Sequence, residues 1–434
     1  MRSYCLIIIF ALLTAALTAA GDDQKAMIKS AMEQDPLAIA ITTGYEIPSE
    51  GYCDQPYVQM LPDGTWLCVM TTGTGDEGDL GQHIVSTRSR DHGKTWEPLT
   101  DIEPRDGPEA SWATPYLTPY GRVYVFYTYN YEDRREVKMV DGVGVTHRVD
   151  LIGKFAMKYS DDGGASWSTQ RWFVPIRETK IDRENPYQGK VRFFWSVDKM
   201  IAHEGASYLG FSKVSGIQGG AFHSSEAFFL RCDNIDSERD PAKLTWQLLP
   251  ETDRGLTSPE GLIASEVNME VLSDGSFFCT YRTVDGYPGH AYSRDKGRTW
   301  TESAFMTYGP DGERVKHPRA ANFVRKLPAG PYKGRYIYWF HNNSMSGFVG
   351  RNPAYLLGGI EVDSPEGKVI QWGDPVAVLY GESTEDRISY PDFMWDDGLY
   401  ITETQKSTAR VHQIPDNLLS ALWQSPRHSA AKSN

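Results

Sequence analysis

An eight-residue phrase occurs three times in this chain and limits what it can fold into. Ser89-Arg90-Asp91-His92-Gly93-Lys94-Thr95-Trp96, Ser160-Asp161-Asp162-Gly163-Gly164-Ala165-Ser166-Trp167 and Ser293-Arg294-Asp295-Lys296-Gly297-Arg298-Thr299-Trp300 share the form Ser-x-Asp-x-Gly-x-Thr/Ser-Trp. The chemistry is that of a tight turn between two strands. Ser and Asp side chains bond back to local N–H groups, Gly supplies a positive φ, and Trp anchors the turn under a sheet. Each copy follows a β-rich run, at 83–89, 154–160 and 289–293. The repeating unit is therefore strand, turn, strand.

The other β-runs fall into step with these three. Paired runs lie at 65–71 and 83–89, 122–129 and 154–160, 206–214 and 227–232, 276–283 and 289–293, 335–341 and 354–361, and 399–404 and 409–414. A period of about 60 to 70 residues suits a four-stranded unit, and a ring of such units is a β-propeller, whose edges are short and protected. The sequence thus predicts an all-β, six-bladed β-propeller over 45–415. A polar leader at 21–44 precedes it, and a polar tail at 416–434 follows, expected to lack structure beyond 424. Charged insertions at 131–148 and 181–188 are expected over the face where the loops of a propeller converge on the central channel.

Composition narrows the partners and the compartment. Lys+Arg 44 against Asp+Glu 57 gives a net charge of −13, which argues against a nucleic-acid partner. Residues 1–20 have the form of a signal peptide: Arg2, an apolar run at 6–16, and Thr18-Ala19-Ala20 before Gly21. A secreted or periplasmic protein is expected. The apolar run is short for a membrane span, so no stable membrane insertion is expected after signal removal. Cys53, Cys68, Cys232 and Cys279 contain no Cys-x-x-Cys pair, so a zinc site is not expected. Export permits a Cys53–Cys68 disulfide; four buried thiols are the alternative.

The repeated turn resembles the Asp-box of the sialidase (neuraminidase) superfamily, and the resemblance spans about residues 45–412. It implies a six-bladed propeller and a glycan or polysaccharide as substrate. The boxes sit on the outer rim and say little about activity, which rests on other residues. Glu266-Val267-Asn268-Met269-Glu270, then the turn Ser273-Asp274-Gly275-Ser276 and then Tyr281-Arg282, resemble the sialidase segment that carries a Glu and a carboxylate-binding Arg. The resemblance makes Glu266 the partner of the nucleophile and Arg282 a grip on the substrate carboxylate. Ser389-Tyr390-Pro391-Asp392, with the strand ending in Glu403, resembles the segment of the catalytic Tyr, which implies Tyr390 as nucleophile. A Tyr near its ordinary pKa of about 10 is a poor nucleophile unless a carboxylate takes its proton. A neutral phenol does not repel an anionic sugar, and sialidases are exceptions to the two-carboxylate scheme. Gly350-Arg351-Asn352-Pro353 is similar to the family's last triad arginine, and Arg319 in Lys316-His317-Pro318-Arg319 offers a further cation. Guanidinium groups bind carboxylates through paired N–H bonds. The family places its general acid on the loop before the first box, here 73–83, where Asp79 fits first and Asp76 second. His83 lies beside that loop, as a group that titrates near neutrality.

One motif departs from the resemblance. Where the family has an aromatic-Arg-Ile-Pro stretch, this chain has Cys53-Asp54-Gln55-Pro56-Tyr57 or, in another register, Tyr45-Glu46-Ile47-Pro48. Asp54 or Glu46 then replaces a cation by an anion, and a carboxylate facing a substrate carboxylate weakens binding unless it is paired or protonated. Asp54 is accordingly expected to accept hydroxyl hydrogen bonds or to pair with a neighbouring Arg and hold it for the substrate. The expected activity is an exo-acting, retaining glycoside hydrolase resembling exo-α-sialidase, without metal or organic cofactor. The rivals are a lyase or hydrolase for another sugar, with His83, His317 or His341 beside Tyr390, and a glycan-binding propeller.

Overall fold

A computed structural model describes residues 25–430 apart from 27, 31, 34, 220, 310, 311, 342–349 and 384. The stretch with the form of a signal peptide, 1–20, lies outside the described residues. The β-runs pair into six antiparallel sheets set as the blades of a propeller. Blade 1 runs Tyr52–Met60, Trp66–Gly73, His83–Ser89, Thr100–Asp101; blade 2 runs Ala110–Leu117, Val123–Tyr129, Lys154–Ser160, Trp172–Phe173. Blade 3 opens with Phe193–Trp195 and Ile201–His203, both paired to Ala206–Val214, and continues with Ser225–Cys232 and Trp246–Leu249. Blade 4 runs Ser265–Val271, Phe277–Arg282, Gly289–Ser293, Ala304–Phe305. Blade 5 runs Phe323–Lys326, Tyr336–Phe340, Ala354–Ser364, Val376–Tyr380, with Gly367–Trp372 as an extra partner of its third strand. Blade 6 takes Ser389–Trp395, Leu399–Thr404 and Ala409–Ile414 from the end of the chain. Its outermost strand is Tyr45–Ile47, paired Glu46 to Arg410, so the start of the chain closes the ring.

The repeated phrase forms the turn after the third strand in blades 1, 2 and 4. In each, the Ser hydroxyl accepts from the Gly N–H at 2.8 Å: Gly93 to Ser89, Gly164 to Ser160, Gly297 to Ser293. The Asp carboxylate accepts from the backbone and the hydroxyl of the residue before the Trp, as Asp91 does from Thr95 at 2.9 and 2.6 Å. A Cβ on Gly164, at φ +82°, would come within 2.3 Å of Leu67 in blade 1, so this glycine is needed for conformation and for close approach. Trp300 stacks on Phe229 of blade 3 at 4.4 Å. These turns therefore lock each blade to the one before it.

The described parts of the segments that flank the ring are more ordered than the sequence suggests. Ile39–Ala40, inside the leader, pairs in parallel with the outer strand of blade 5. In the stretch 416–434, Asp416–Ala421 and Pro426–Ala430 are helical. Leu418, Leu419 and Leu422 are buried there, and Trp423 stacks on Tyr332 at 4.3 Å. Three leucines and a tryptophan give this segment an apolar face to bury, which outweighs its polar composition. Cys53, Cys68, Cys232 and Cys279 are buried free thiols. Among the described residues, no helix is long and apolar enough to cross a membrane.

The innermost strands position the site. In blades 1, 2, 4 and 6 the pairing of the first two strands slips at one place, between Asp54 and Tyr57, Ser111 and Thr114, Ser265 and Asn268, and Ser389 and Asp392. The extra residue of each bulge is left-handed: Gln55 at φ 50°, Trp112 at 67°, Glu266 at 53° and Tyr390 at 46°. A bulge re-aims a side chain, and a non-glycine residue held at positive φ costs about 1–3 kcal/mol. Four equivalent bulges turn four side chains into the same channel.

Candidate active site

Two of these bulge residues meet. The Tyr390 hydroxyl donates to Glu266 Oε1 at 2.6 Å, and Arg282 Nη1 reaches the same oxygen at 2.9 Å. All three side chains are buried, with Tyr390 and Arg282 at 2 % exposure and Glu266 at 1 %. Arg282 ends the second strand of blade 4, directly opposite Ser265, and its Nε donates to Ser265 Oγ at 3.2 Å. The bulge that lifts Glu266 thus leaves its neighbour Ser265 to hold the guanidinium. Burial pushes the Tyr390 phenol well above its ordinary pKa, and the charges of Glu266 and Asp54 add to this while Arg282 and Arg351 oppose it. Tyr390 is a neutral phenol with a proton acceptor already in place.

Arg351 and Arg319 complete a cationic wall. Arg351 Nη1 donates to Ser389 Oγ at 2.9 Å, beside the nucleophile candidate, and Nη2 reaches the Arg319 carbonyl at 3.4 Å. Burial, then the charges of Arg282 and Arg351, push the Arg319 guanidinium down from its ordinary range, against the pull of Glu266. Arg282 Nη2, Arg351 Nε and Glu266 Oε2 are buried and find no partner among the described residues. Buried charged groups ordinarily pair. Clustered guanidiniums with buried, unpaired N–H groups suit an anion that brings its own oxygens.

Aromatic rings close the space around Tyr390. Trp112 and Trp195 lie 6.0 and 6.4 Å from its ring, and 4.8 Å from each other. The insertion at 131–148 contains a short hairpin, Val137–Lys138 with Val145–Thr146. Its Val140 N–H bonds the Ile217 carbonyl at 3.2 Å, which joins it to a second hairpin, Ile217–Gln218 with Ala221–Phe222. Phe222 lies under the guanidiniums of Arg282, Arg148 and Arg319, at 5.4, 5.8 and 5.9 Å. The 181–188 segment joins the same cover, because the Tyr187 hydroxyl donates to the Lys138 carbonyl.

The remaining residues singled out in the sequence lie as follows. Asp54 is in the innermost strand of blade 1, next to Gln55, and is fully buried. Glu46, in the alternative register, sits on the outermost strand of blade 6 and faces Arg410 at 3.1 Å; of the two, only Asp54 reaches the channel. Asp79 is exposed, and its Oδ2 accepts from the Asp76 N–H at 2.7 Å, closing its own turn. His83 is on the third strand of blade 1 and faces Asp101 of the fourth at 3.4 Å. His317 and His341 stack at 5.9 Å near Arg351. Burial pushes His317 down to about 4 and His341 well below its ordinary value, so both rings are neutral.

Several site residues escaped the sequence reading. Lys406 contacts Asp54 and lies 3.3 Å from Glu77, and Glu77 bonds Arg148 at 2.5 Å. Burial pushes the Glu77 carboxyl up, but Arg148 and Lys406 outweigh it and hold it down to about 2. Glu109 is buried with both carboxyl oxygens unpartnered among the described residues, and burial, then the charge of Asp150, pushes it up to about 9. A sequence signal for Trp112 existed. Ser111-Trp112, Ser265-Glu266 and Ser389-Tyr390 all place a Ser before the bulge residue at the head of an innermost strand. Lys406 gives no such signal. Among the described residues no group of His, Cys, Asp and Glu has the arrangement to hold a metal ion.

No protein-family model and no curated protein matches the chain. Solved structures do. The leech intramolecular trans-sialidase complexed with 2,7-anhydro-Neu5Ac superposes with a TM-score of 0.60 at 14% identity, over 87% of this chain and 71% of that one. The intramolecular trans-sialidase of Ruminococcus gnavus, in complex with oseltamivir carboxylate, gives 0.60 at 14% identity, over 86% and 96%. The chain has the sialidase fold. NanB sialidase from Streptococcus pneumoniae follows at 0.57 and 14% identity, over 86% and 70%. An unknown-function protein of Dyadobacter fermentans shares this sialidase fold at 0.55 and 14%, over 86% and 97%. Low identity over a common ring leaves the activity to be argued from the site itself.

Proposed function

We propose that this protein is an exo-acting glycoside hydrolase that removes terminal acidic sugars with retention of configuration. The observation that carries this reading is the buried Tyr390–Glu266 bond of 2.6 Å with Arg282 on the same carboxylate oxygen. Tyr390 Oη attacks the anomeric carbon as its proton passes to Glu266 and the glycosidic C–O bond breaks. Asp79, on the loop between the second and third strands of blade 1, is the acid of this reading: once released from the turn it closes here, it protonates the leaving oxygen and then takes a proton from the water that releases the sugar. Arg282, Arg319 and Arg351 hold the substrate carboxylate. Three of the neighbours carry sialidase or trans-sialidase in their names, so N-acetylneuraminosides come first among substrates. The Asp54–Lys406 pair supports a second reading, in which the same machinery acts on another acidic sugar. The signal-like stretch at 1–20 supports an activity outside the cytoplasm.

The test is release of aryl leaving groups from a panel of glycosides, sialic acid and uronic acids included, by wild type and by Tyr390→Phe. Turnover lost in Tyr390→Phe with folding retained supports the nucleophile. Turnover of a uronide but not of a sialoside selects the second reading. Silence across the panel, with an ultraviolet-absorbing product from an acidic polysaccharide, sinks the hydrolase in favour of a lyase. Glycan binding without turnover by either protein sinks it in favour of a binding module.

A further inference from the structure

Asp54 is the residue that breaks the resemblance, and its surroundings give the reason. Its Oδ1 accepts from the Gln55 N–H at 2.9 Å, and its Oδ2 accepts from the Tyr52 hydroxyl at 3.0 Å and from Lys406 Nζ. Asp54 is 0 % exposed. A fully buried carboxylate whose two oxygens are both engaged has little left to offer a substrate. Its function is to hold Lys406.

The Lys406 backbone is tied both to blade 1 and to its own blade 6. Its carbonyl accepts from the Cys53 N–H at 2.7 Å, next to Asp54, and its own N–H donates to Thr404 Oγ1 at 2.9 Å. The backbone is left-handed at φ 73°, a conformation that persists in a non-glycine residue only when its surroundings over-determine it. The ammonium then lies 4.9 Å from the centre of the Tyr390 ring and 5.6 Å from that of Trp112. Glu77, itself held by Arg148, supplies a second anion at 3.3 Å.

We propose that Lys406 is a positioning residue for the nucleophile: Asp54 and Glu77 hold its ammonium over the Tyr390 ring, where it stabilises the negative charge that the phenol gains as it attacks. This rests on Tyr390 being the nucleophile. The balance is simple. The Tyr390 O–H bond breaks toward Glu266 Oε1, the Oη–carbon bond forms, and the glycosidic C–O bond breaks with its electron pair on the leaving oxygen. Until the new bond is complete the ring carries part of the negative charge. A fixed cation within about 6 Å of a ring face favours that state. In this site the aspartate at the position where the family resemblance leads one to expect an arginine draws a lysine of blade 6 over the Tyr390 ring.

The experiment reads the phenol directly and needs no substrate. A trifluorotyrosine placed at position 390 in the full chain has a more acidic phenol, and its fluorine resonances report ionisation as pH is raised. The charges that face it are Glu266 and Arg282 of blade 4, Arg319 and Arg351 of blade 5, Asp54 and Glu77 of blade 1, Arg148 of the blade 2 insertion, and Lys406. Lys406→Met removes the cation over the ring and leaves Asp54 without its ion-pair partner, and is expected to raise the titration midpoint by about one pH unit. Lys406→Arg should leave the midpoint near wild type, and Lys406→Met with Asp54→Asn should bring it back most of the way. A loss of packing alone predicts no such return. A folded Lys406→Met protein with an unchanged midpoint overturns the proposal. On an aryl glycoside that wild type cleaves, Lys406→Met should lower kcat on the order of tenfold or more with little change in KM. If the midpoint moves but no glycoside is cleaved, the placement of Lys406 stands and the hydrolase reading fails.

Discussion

The head of the channel and its waist are built from the same innermost strands and treat charge in opposite ways. At the waist, a few residues further along those strands, charges are paired across the ring. Lys199 of blade 3 bonds Asp392 of blade 6 at 2.9 Å and the Val58 carbonyl of blade 1 at 2.7 Å. Arg325 of blade 5 faces Asp198 of blade 3 at 3.5 Å, and the Tyr57 hydroxyl of blade 1 donates to the Val197 carbonyl at 2.8 Å. At the head, Arg282, Arg319 and Arg351 crowd together, and buried N–H groups on Arg282 and Arg351 have no partner among the described residues. The waist uses charge to hold non-adjacent blades in register. The head pairs Arg282 with Glu266 yet leaves single donors of Arg282 and Arg351 without a partner among the described residues. An anion that completed the head would gain what the waist already has.

The largest expected effect is on the head. Tyr390→Phe removes the donor to Glu266 and should lower kcat by about a thousandfold or more while the thermal transition stays near wild type, measured by aryl glycoside turnover and circular dichroism. Arg282→Ala should lower kcat/KM on the order of a hundredfold for an acidic sugar and much less for a neutral one. Equal losses on both sugars would remove the anion-binding role.

The waist should respond in the reverse way. Lys199→Met leaves Asp392 buried and unpaired, which should destabilise the protein by about 3–5 kcal/mol in urea unfolding, with kcat of the folded fraction retained. If activity fell with stability unchanged, the division between head and waist would be wrong. A finer test uses pH. Burial, opposed by Arg325, raises Asp198 to about 7, above the value of about 3.9 in an unfolded chain. Between these values the folded state keeps a proton that the unfolded state has lost. This group therefore makes stability fall as pH rises from about 4 to 7, and level off above. Asp198→Asn should flatten that slope in urea midpoints taken across the range.

The smallest effects belong to the rim. Gly164→Ala meets Leu67 at 2.3 Å and adds strain at positive φ, whereas a Cβ at Gly297 finds its first neighbour, Leu249, at 3.5 Å. Gly297→Ala should cost about 1–2 kcal/mol from backbone conformation alone and Gly164→Ala more. Thermal unfolding reads both, and neither should change kcat. Equal losses would mean that blade contact adds nothing to the turn.

Much of the ring was legible in the sequence, because its signals are local. Turn chemistry, period-two runs and their spacing are set within a few residues, and they named the six blades in order. Tyr390, Glu266, Arg282 and Arg351 were legible through resemblance, since each sits in a phrase tied to a strand end. What is local ends there. The partner of Asp54 lies 352 positions away, and no spacing points to it. Tyr45–Ile47 as the last strand of the last blade, the apolar docking of the segment after 415, and the turn of Asp79 toward its own loop all depend on which surfaces meet. The sequence alone determined that the chain is a ring of β-blades, and resemblance singled out Tyr390, Glu266 and Arg282. Only the tertiary structure decided which charges at the hub are paired, because pairing depends on distance across the channel, and the channel exists only when the ring is closed.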